Sequence, residues 1–547
     1  DTPAWRASTL LPAADSRNIF TWYDSTTKGI EFLWDNLSGT QQASLASSVV
    51  LDYLRGSQVG EIQFGGALRS RTKRLGDIVH SSPYYVKDTD TVYVGGNDGM
   101  LHAFSAATGV EEFAYIPGLV FDKLATLASP DYDHTFFADG DIAVSSLAET
   151  PGQNILVASA GRGAKGLFAL DVSDPDGFQA SDVLWEYSGA TDDDFGFVLG
   201  RPQIALLEND VTAVVVGNGH NSVNGSAVLY VFNLATGALI ATIDTEVTGD
   251  NGLSTPTLID ADANGKADTV YAGDLKGNVW RFDLSNSNEI HWESHYETGN
   301  TPEPFFTAVD PDGDPQPITA QITVAVNSVS SDLLNYGKRF LFFGTGSYVY
   351  ANDPTNTQVQ TWYGVIDDGD EITDNRTSLA QRTIETSGTV GLYGARVFSA
   401  ATDGDMAGKK GWYVDLKDPT ARGERIVTRS VVYRFLEPVL IASSIIPDPD
   451  PCEAGGTGFV NAINPFTGAR LQYPPFDMND DGKFNDDDKL NGEVVGSFDP
   501  SIGMPGEATV VGDRLVVGGS TGDIADMRIN IGFKRTGRIS WREIVRD

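Results

Sequence analysis

Short runs of alternating apolar and polar residues recur along the chain, and most of them stop at a glycine. Apolar runs that end in glycine occupy residues 92–95, 214–217, 270–273 and 515–518. Three further runs end in a Thr-Gly pair, at Gly109, Gly237 and Gly468. Alternation with a period of two predicts β-strands, and the glycines predict tight turns between them.

These strand-and-turn units repeat about every 55 to 80 residues and begin near residues 92, 137, 202, 255, 318, 428 and 506. A minimal propeller blade takes roughly 40 to 45 residues, so the longer repeat implies inserted loops. A lone blade exposes its apolar faces, whereas blades stacked around a ring bury them. The pattern predicts an all-β fold in which residues 86–547 form a seven-bladed β-propeller with long inserted loops. The alternative is a set of β-sandwich domains, whose strands would not restart with the same ending.

Residues 1–85 show a different pattern, which predicts a small helical and irregular N-terminal segment. Residues 40–54 place apolar side chains at helical spacing and predict one amphipathic helix. Thr40 or Ser38 would cap its start, and Gly56 would end it. We expect this segment to pack on the propeller or to close it.

Composition narrows the classes of function. Lys and Arg number 38 against 75 Asp and Glu, which gives a net charge of −37. This excess repels the phosphates of nucleic acids and of anionic membranes, so neither is expected as a partner. The dense basic cluster consists of Arg69, Arg71, Lys73 and Arg74. We interpret it as a solvated loop or an internal partner for acidic blades rather than a nucleic-acid patch.

The sequence also argues against disulfides, cysteine-based metal sites and membrane-spanning segments. Its single cysteine, Cys452, excludes an internal disulfide and a cysteine-based zinc site. No apolar run approaches the roughly 20 residues that span a bilayer, so no membrane insertion is predicted. The first residue is Asp1, and no signal segment follows it. We interpret the sequence as a mature or excised piece from the C-terminal part of a longer protein.

An aspartate-rich loop lies between two strand-like runs, residues 255–259 and 269–272. Oxygen-bearing side chains occupy alternate positions and a glycine occupies the sixth, which is the pattern of a calcium loop. The predicted ligands are Asp260, Asp262, Asn264, the carbonyl of Lys266, and Asp268. Ca²⁺ takes about 6 to 8 oxygens, so water or bidentate carboxylates would complete the shell. The alternative is an ordinary Asx-rich hairpin turn.

A second loop fits the twelve-position calcium pattern of an EF-hand. Its candidate ligands are Asp477, Asn479, Asp481, Lys483, Asn485 and Asp488. The closing residue is an aspartate, whose arm is shorter than that of the usual glutamate, and prolines precede the loop in place of a helix. The sequence predicts a calcium loop without a full EF-hand, and the alternative is a solvated acidic loop. The proline-interrupted run around Asp312 predicts only a turn.

No constellation of catalytic residues stands out. The histidines at 80, 102, 134, 220, 291 and 295 do not follow a metal-binding spacing. Neither a nucleophile elbow nor a phosphate-binding loop occurs in the sequence. The glycine-rich residues 161–166 lie between strand-like runs and predict a turn. We therefore predict a protein that is not an enzyme.

Several segments together resemble the C-terminal propeller domain of the PilC/PilY family of type IV pilus-associated proteins. They are residues 76–83 (Gly-Asp-Ile-Val-His-Ser-Ser-Pro), 92–104, 254–262, 278–282 and 452–458. The first of these motifs is quite specific, whereas the others occur in many propellers. The likeness extends over nearly the whole chain.

The resemblance implies a secreted, calcium-binding protein at the pilus tip or outer-membrane surface of a Gram-negative bacterium. It implies roles in pilus biogenesis, control of extension and retraction, twitching motility, adhesion to host cells or abiotic surfaces, and virulence. The implied partners are the pilin and the minor pilins. The family's calcium loop corresponds to Asp260, Asp262, Asn264, Lys266 and Asp268, and its bound calcium favours the extended pilus. The second loop has no such support and depends on spacing alone.

Two other classes of function stay open. Quinoprotein dehydrogenases also have blades that end in Thr-Gly turns, and they hold calcium beneath a quinone. They differ in having adjacent paired cysteines, more tryptophan-docking motifs and eight blades. The second alternative is a glycan-binding propeller or an outer-membrane scaffold propeller.

Overall fold

The computed structural model describes residues 4–449 and 455–532, so Cys452 lies outside the described residues. The chain divides into two compact units, Asp1–Phe306 and Thr307–Asp547. In both units the secondary structure is mostly β-strand. Among the described residues, no helix combines the length and the apolar character needed to cross a membrane.

The α-helices lie in the N-terminal segment of the first unit. They are α1 (Ala7–Leu10), α2 (Gly39–Leu45) and α3 (Ser48–Leu54). The prediction of one helix over residues 40–54 is wrong, because Ala46 adopts a left-handed conformation with φ of 66° and ends α2. The Oγ of Ser38 accepts a hydrogen bond from the backbone N–H of Gln41 at 3.2 Å, which confirms Ser38 as the cap.

Short 3₁₀ turns connect many of the other elements. They span Ala14–Ser16, Trp34–Asn36, Ile62–Phe64, Gly118–Ala128, Ala180–Asp182, Gly189–Thr191, Glu289–His291, Asp353–Thr355, Asn375–Ser378 and Asp486–Asp488. The first seven belong to the first unit and the rest to the second.

The first sheet combines strands from the N-terminal segment with strands from the first predicted repeat. Its strands are β1 (Ile19–Asp24), β2 (Lys28–Glu31), β3 (Tyr84–Val86), β4 (Thr91–Gly95), β5 (Leu101–Ser105) and β6 (Glu111–Ile116). They lie in the order β2-β1-β6-β5-β4-β3. β1 runs parallel to β6, with Phe20 opposite Tyr115. The N-terminal segment thus contributes two strands that the sequence did not predict, and the domain boundary at residue 85 stays a prediction.

Three more sheets of the first unit follow the order of the chain. Their strands are β7 (Ile142–Val144), β8 (Ile155–Ser159), β9 (Gly166–Asp171), β10 (Val183–Ser188), β11 (Gln203–Leu206), β12 (Thr212–Gly217), β13 (Val228–Asn233), β14 (Leu239–Asp244), β15 (Thr257–Ile259), β16 (Thr269–Gly273), β17 (Asn278–Asp283) and β18 (Glu293–Ser294). The second, third and fourth sheets each take four of these strands as antiparallel meanders. A small ribbon, β19 (Tyr296–Thr298) with β20 (Thr301–Glu303), follows, and β21 (Phe306–Thr307) pairs with β17 as a fifth strand of the fourth sheet.

The second unit contains three sheets, of five, six and three strands, and a two-stranded ribbon. Its strands are β22 (Thr323–Val326), β23 (Arg339–Gly344), β24 (Thr361–Asp367), β25 (Ala380–Arg382), β26 (Ile384–Val390), β27 (Tyr393–Phe398), β28 (Gly411–Asp415), β29 (Val431–Arg434), β30 (Pro438–Pro447), β31 (Gly456–Ile463), β32 (Lys489–Leu490), β33 (Glu493–Val494), β34 (Ser497–Asp499), β35 (Thr509–Val511), β36 (Arg514–Gly518) and β37 (Ile524–Arg528). The sheet orders are β22-β23-β24-β28-β25, then β26-β27-β34-β31-β30-β29, then β35-β36-β37, with β32-β33 as a separate ribbon.

Consecutive sheets pack face to face through their apolar side chains. On β12, Val214 belongs to a buried cluster with residues of the second sheet, whereas the next residue, Val215, belongs to a cluster with Val270 and Phe282 of the fourth sheet. The third sheet is therefore buried on both faces, which explains why β12 is apolar without interruption. In the second unit, Trp412 of the fifth sheet likewise packs with the sixth sheet.

Stacking of repeated antiparallel sheets is the packing of a β-propeller. The prediction of an all-β propeller fold with inserted loops is confirmed. The count of seven blades stays a prediction.

Candidate calcium-binding loops

The first aspartate-rich loop joins β15 to β16, which are the strands that the sequence placed on either side of it. Ile259 and Thr269 lie opposite each other in the antiparallel pair, so the intervening residues form the end of a hairpin. Gly265 has a φ of 93°. This left-handed conformation strains residues that carry a Cβ, which accounts for glycine at the sixth position of the loop.

Backbone N–H groups of the loop hold its aspartates in place. The two carboxylate oxygens of Asp260 accept hydrogen bonds from the N–H groups of Asn264 at 3.0 Å and Gly265 at 2.7 Å. A carboxylate oxygen of Asp262 also accepts from the Asn264 N–H, at 3.0 Å. Oxygens of Asp260, Asp262 and Asp268 consequently lie within 4.8 Å of one another.

The charge of this cluster favours a divalent cation. Asp260 and Asp262 are exposed and Asp268 is buried, so three negative charges converge at the edge of the sheet. Among the described residues, no Lys or Arg forms an ion pair with these three carboxylates, because the Lys266 Nζ lies 2.7 Å from Asp210 instead. Carboxylate and amide oxygens are hard ligands, which fit Ca²⁺ rather than a softer metal such as copper or zinc.

The third sheet braces this loop through two residues that the sequence analysis missed. The amide Nδ2 of Asn264 donates to Glu208 Oε1 at 2.7 Å and to Asp262 Oδ2 at 3.1 Å. Glu208 and Asp210 lie in the turn between β11 and β12, and a parallel bridge between Leu207 and Ala267 brings this turn to the loop. The sequence of the turn does not indicate this role, because Glu208 contacts Asn264, which lies 56 residues further along the chain.

The second loop repeats the hydrogen-bonding scheme of the first. The carboxylate of Asp477 accepts from the N–H groups of Asp481 at 3.1 Å and Gly482 at 2.8 Å, at the fifth and sixth positions of the loop. The closing Asp488 accepts from the N–H of Met478, at the second position, at 2.8 Å. In the first loop, Asp268 accepts from the N–H at the equivalent second position at 2.9 Å.

The remaining candidate ligands of the second loop also bond to backbone N–H groups. Asn479 Oδ1 accepts from Asp481 at 3.1 Å, and Asp481 Oδ1 accepts from Lys483 at 2.8 Å. Asn485 Oδ1 accepts from the N–H of Asp487 at 2.6 Å. A cluster of three carboxylates within 4.8 Å is found in the first loop but not in the second, among the residues that the structure describes.

The second loop is more deeply embedded than the first. Asp477 and Asp488 are each 1% exposed. The N–H of Asp477 donates to the carbonyl of Arg528 at 3.1 Å, which ties the loop to the end of β37. Burial raises the pKa of Asp488, and the negative charges of Asp477 and Asp481 add to the rise. A 3₁₀ turn rather than an α-helix ends the loop, and its assignment as a calcium loop stays a prediction.

Two weaker sequence interpretations are confirmed. The Asp310 carboxylate accepts from the N–H groups of Asp312 and Asp314 at 2.9 and 3.0 Å, so this run forms a turn. The glycine-rich residues 161–166 connect β8 to β9, which agrees with a turn between strands.

Sheets that stack in succession define this chain as a β-propeller protein. A sequence profile of the PilY1 beta-propeller domain matches residues 57–390, which is more than half of the chain. The chain therefore belongs to the PilY1 beta-propeller family.

Curated relatives and a solved structure agree with this assignment. The type IV pilus biogenesis factor PilY1 homolog of Xylella fastidiosa is 36% identical, over 100% of this chain and 44% of the relative. The type IV pilus biogenesis factor PilY1 of Pseudomonas aeruginosa is 30% identical, over 99% of this chain and 53% of the relative. The crystal structure of the Pseudomonas aeruginosa PilY1 C-terminal domain matches with a TM-score of 0.64 at 28% identity, covering 81% of this chain and 92% of that chain. The chain spans about half the length of the curated relatives it matches.

Proposed function

We propose that this chain is a calcium-binding, non-enzymatic part of a type IV pilus biogenesis factor. The observation that carries the proposal is the convergence of Asp260, Asp262 and Asp268 within 4.8 Å in a propeller of the PilY1 family. Their carboxylates, with the Asn264 side chain and the Lys266 carbonyl, would hold one Ca²⁺. The names of the relatives supply the pilus context.

Calcium would act here by removing electrostatic repulsion. Without a cation, three like charges oppose the closed hairpin between β15 and β16, and a bound divalent ion converts this repulsion into attraction. Outside a cell, modules with dissociation constants of about 10⁻⁴ to 10⁻³ M are occupied by calcium. A protein at the pilus tip or the outer-membrane surface would therefore sense external calcium through the order of this loop.

We extend the proposal to pilus control and attachment. The calcium-filled loop favours the extended pilus and the empty loop permits retraction, which links the site to twitching motility and virulence. Contact with pilin or minor pilins places the propeller where it also serves in adhesion to host cells or abiotic surfaces. The second loop takes a second Ca²⁺ through Asp477, Asn479, Asp481, the Lys483 carbonyl, Asn485 and Asp488, and the shared hydrogen-bonding scheme supports this assignment.

The decisive experiment measures surface pili on cells that carry Asp268→Ala, with and without deletion of the retraction motor. We expect few surface pili when the motor is present and normal numbers when it is deleted, because the empty loop permits retraction. Asp312→Ala removes one exposed carboxylate from a turn outside the loops and serves as the control. Equal surface pili in every background would refute calcium control.

The quinoprotein alternative predicts different behaviour for the purified protein. A quinone chromophore or dye-linked alcohol oxidation would support a dehydrogenase. Membership of the PilY1 family favours the pilus-associated function, since the relatives are named as biogenesis factors. We expect neither signal.

A further inference from the structure

The basic cluster of the N-terminal segment lines a cavity of about 280 Å³ in the first unit. All four of its cations, Arg69, Arg71, Lys73 and Arg74, contribute to the wall, together with aromatic and leucine side chains. A positive pocket is unusual on a chain with a net charge of −37. Neither the calcium loops nor the proposed pilus function accounts for it.

Two of these cations stabilise the segment itself. The Arg71 Nε lies 2.9 Å from Glu61, which is buried, and its terminal nitrogens donate to the backbone carbonyls of Tyr53 and Ser57 at 2.9 and 2.8 Å. Arg74 donates to two carbonyls of residues 11 and 12 at 2.5 and 2.6 Å. Both arginines thus have internal partners, but these lie in the N-terminal segment and not on acidic blades.

The other two cations keep unused donors. The Arg69 guanidinium stacks on the ring of Tyr132, 4.1 Å from its centroid, and its Nε donates to the Leu127 carbonyl at 2.9 Å. Its terminal amino groups have no hydrogen-bond partner in the part of the chain that the structure describes. The exposed ammonium of Lys73 likewise has no ion pair or hydrogen bond there. Both side chains can therefore bind an external anion.

Within the part of the chain that the structure describes, the acidic residues of the wall form no ion pair with Lys73 or Arg69 and bond to other groups. Asp77 lies 2.9 Å from His134 Nε2 and accepts from the Asn97 amide at 3.0 Å. Asp98 lies 3.1 Å from the buried His102 and accepts from the Gly76 N–H at 3.0 Å. Burial lowers the pKa of Arg74, and the neighbouring cations Arg17 and Arg71 lower it further, whereas Glu111 opposes this effect.

We propose that this cavity binds a carboxylate side chain from an acidic segment of a partner protein, held by Lys73 and Arg69. A guanidinium and an ammonium with free donors form charge-assisted hydrogen bonds to a carboxylate. The half-buried Tyr132 and Leu75 offer apolar surface to the hydrocarbon arm of that residue, and the exposed Ile78 and Val79 follow the cluster and offer more.

The ligand class follows from the overall charge. A nucleic acid would place many phosphates against a protein with a net charge of −37, and the summed repulsion would exceed the attraction of one pocket. A short segment with one or two carboxylates among apolar residues avoids this repulsion. It also contacts Tyr132 and Leu75 of the wall, which a free inorganic anion does not.

The test uses fluorescence anisotropy with the purified chain in calcium buffer. The probe is a labelled peptide, Leu-Glu-Glu-Leu, and the matched peptide Leu-Gln-Gln-Leu keeps its shape without the charge. We expect binding of the glutamate peptide that weakens with salt, and that weakens about tenfold or more in Lys73→Glu and in Arg69→Gln. Lys87→Glu changes an exposed lysine outside the cavity and is expected to bind as the unmodified chain does.

Several results would overturn the proposal. They are absence of binding up to millimolar peptide, equal binding of the glutamine peptide, or unchanged binding by Lys73→Glu with its thermal unfolding preserved. Full competition by acetate or phosphate at the concentration of the peptide would indicate a site for small anions only. Tighter binding of a DNA oligonucleotide would indicate a nucleic-acid site. Peptide binding is measured without surface pili, so a negative result does not bear on the proposed calcium function. That function is tested separately by the count of surface pili.

Discussion

The ammonium of Lys266 lies 2.7 Å from a carboxylate oxygen of Asp210. Lys266 belongs to the first calcium loop, whereas Asp210 belongs to the turn between β11 and β12 of the neighbouring sheet. The loop thus contains a cation of its own that could neutralise its three aspartates, and the neighbouring sheet binds that cation. The cluster of Asp260, Asp262 and Asp268 consequently keeps its charge for a metal ion.

This relationship predicts that Asp210→Ala weakens calcium binding although Asp210 is not a proposed ligand. The freed ammonium would compete with Ca²⁺ for the carboxylates, so we expect the dissociation constant to rise several-fold. Stability without calcium should change little, because exposed ion pairs contribute little. Calorimetric titration with Ca²⁺ measures the first effect and thermal unfolding in a chelator the second. Asp88→Ala, at an exposed turn elsewhere in the first unit, is the control, and equal affinity in both variants would disprove the competition.

The shared hydrogen-bonding scheme of the two loops predicts two calcium ions per chain. Asp262→Ala and Asp477→Ala should each remove one ion, and the double variant should remove both. Calorimetric stoichiometry together with metal analysis after dialysis checks the count. A chain that binds a single ion, with no change in Asp477→Ala, would show that the second loop is a solvated acidic turn.

The first loop could be predicted because all of its proposed ligands lie within nine consecutive residues. Their alternation and the glycine at the sixth position are local requirements of the turn, so the sequence contains them in full. The bracing by Glu208 and Asp210 could not be predicted, since it depends on how two sheets stack. The same holds for the cavity at Lys73, because the sequence shows the cations but not which of them find internal partners.

Some strands could be predicted from the sequence and others could not. Meander strands such as β12 and β13 pair with the next strand along the chain, and their apolar pattern is sufficient to identify them. β1 and β2 form a local hairpin that the sequence analysis missed. The place of β1 beside β6 could not be predicted, because the two strands lie about 95 residues apart, as the hydrogen bond from Thr21 to the Ile116 carbonyl shows. The apolar positions of residues 40–54 correctly predict helix. Their periodicity does not show that Ala46 has a positive φ and divides the segment into two helices.

The positive φ of Ala46 leads to a prediction about stability. Ala46 ends α2 with φ of 66°, a conformation that costs a residue with a Cβ about 1 kcal/mol relative to glycine. We expect Ala46→Gly to be neutral or stabilising by up to about 1 kcal/mol, whereas Ala43→Gly, inside α2, should be destabilising by a similar amount. Urea unfolding of the two variants measures the difference. Destabilisation of the same size in both would show that residues 40–54 form one continuous helix.

A buried chain of charges links the N-terminal segment to the first sheet. Arg17 Nε lies 2.6 Å from Glu111 Oε2, and His102 Nδ1 lies 2.8 Å from Glu111 Oε1. Burial opposes the charge on His102, but Asp98 and Glu111 outweigh it and raise the pKa of His102 to about 9. The same contacts lower the pKa of Glu111 to about 2 against the opposing effect of burial.

The raised pKa of His102 predicts a loss of stability in alkali. The ordinary value is 6.5, so the stabilisation is fully present below about pH 6.5 and is lost as the pH rises through about 9. The loss amounts to about 3 kcal/mol in the free energy of unfolding. His102→Gln should remove this slope and lower stability at pH 6, whereas His291→Gln, on the surface, should keep it. Unfolding by urea between pH 6 and 9.5 makes the comparison, and an unchanged slope in His102→Gln would contradict the assignment.

Glu186 is a buried carboxyl group, and we expect removal of its charge to stabilise the folded state. Burial raises the pKa of Glu186 to about 7, although its carboxylate accepts hydrogen bonds from the Tyr115 hydroxyl at 2.7 Å and the Gly118 N–H at 2.8 Å. The folded state therefore holds a proton that the unfolded chain, with a pKa of 4.5, releases earlier, and stability falls as the pH rises from about 4.5 through about 7. Glu186→Gln removes the ionisation, so we expect a gain of about 3 kcal/mol at pH 8 and little change at pH 5. Differential scanning calorimetry at the two pH values, with the exposed Glu297→Gln as control, separates this effect from a general change in surface charge. A Tm shift of equal size at pH 5 and pH 8 would mean that the carboxyl does not titrate in this range.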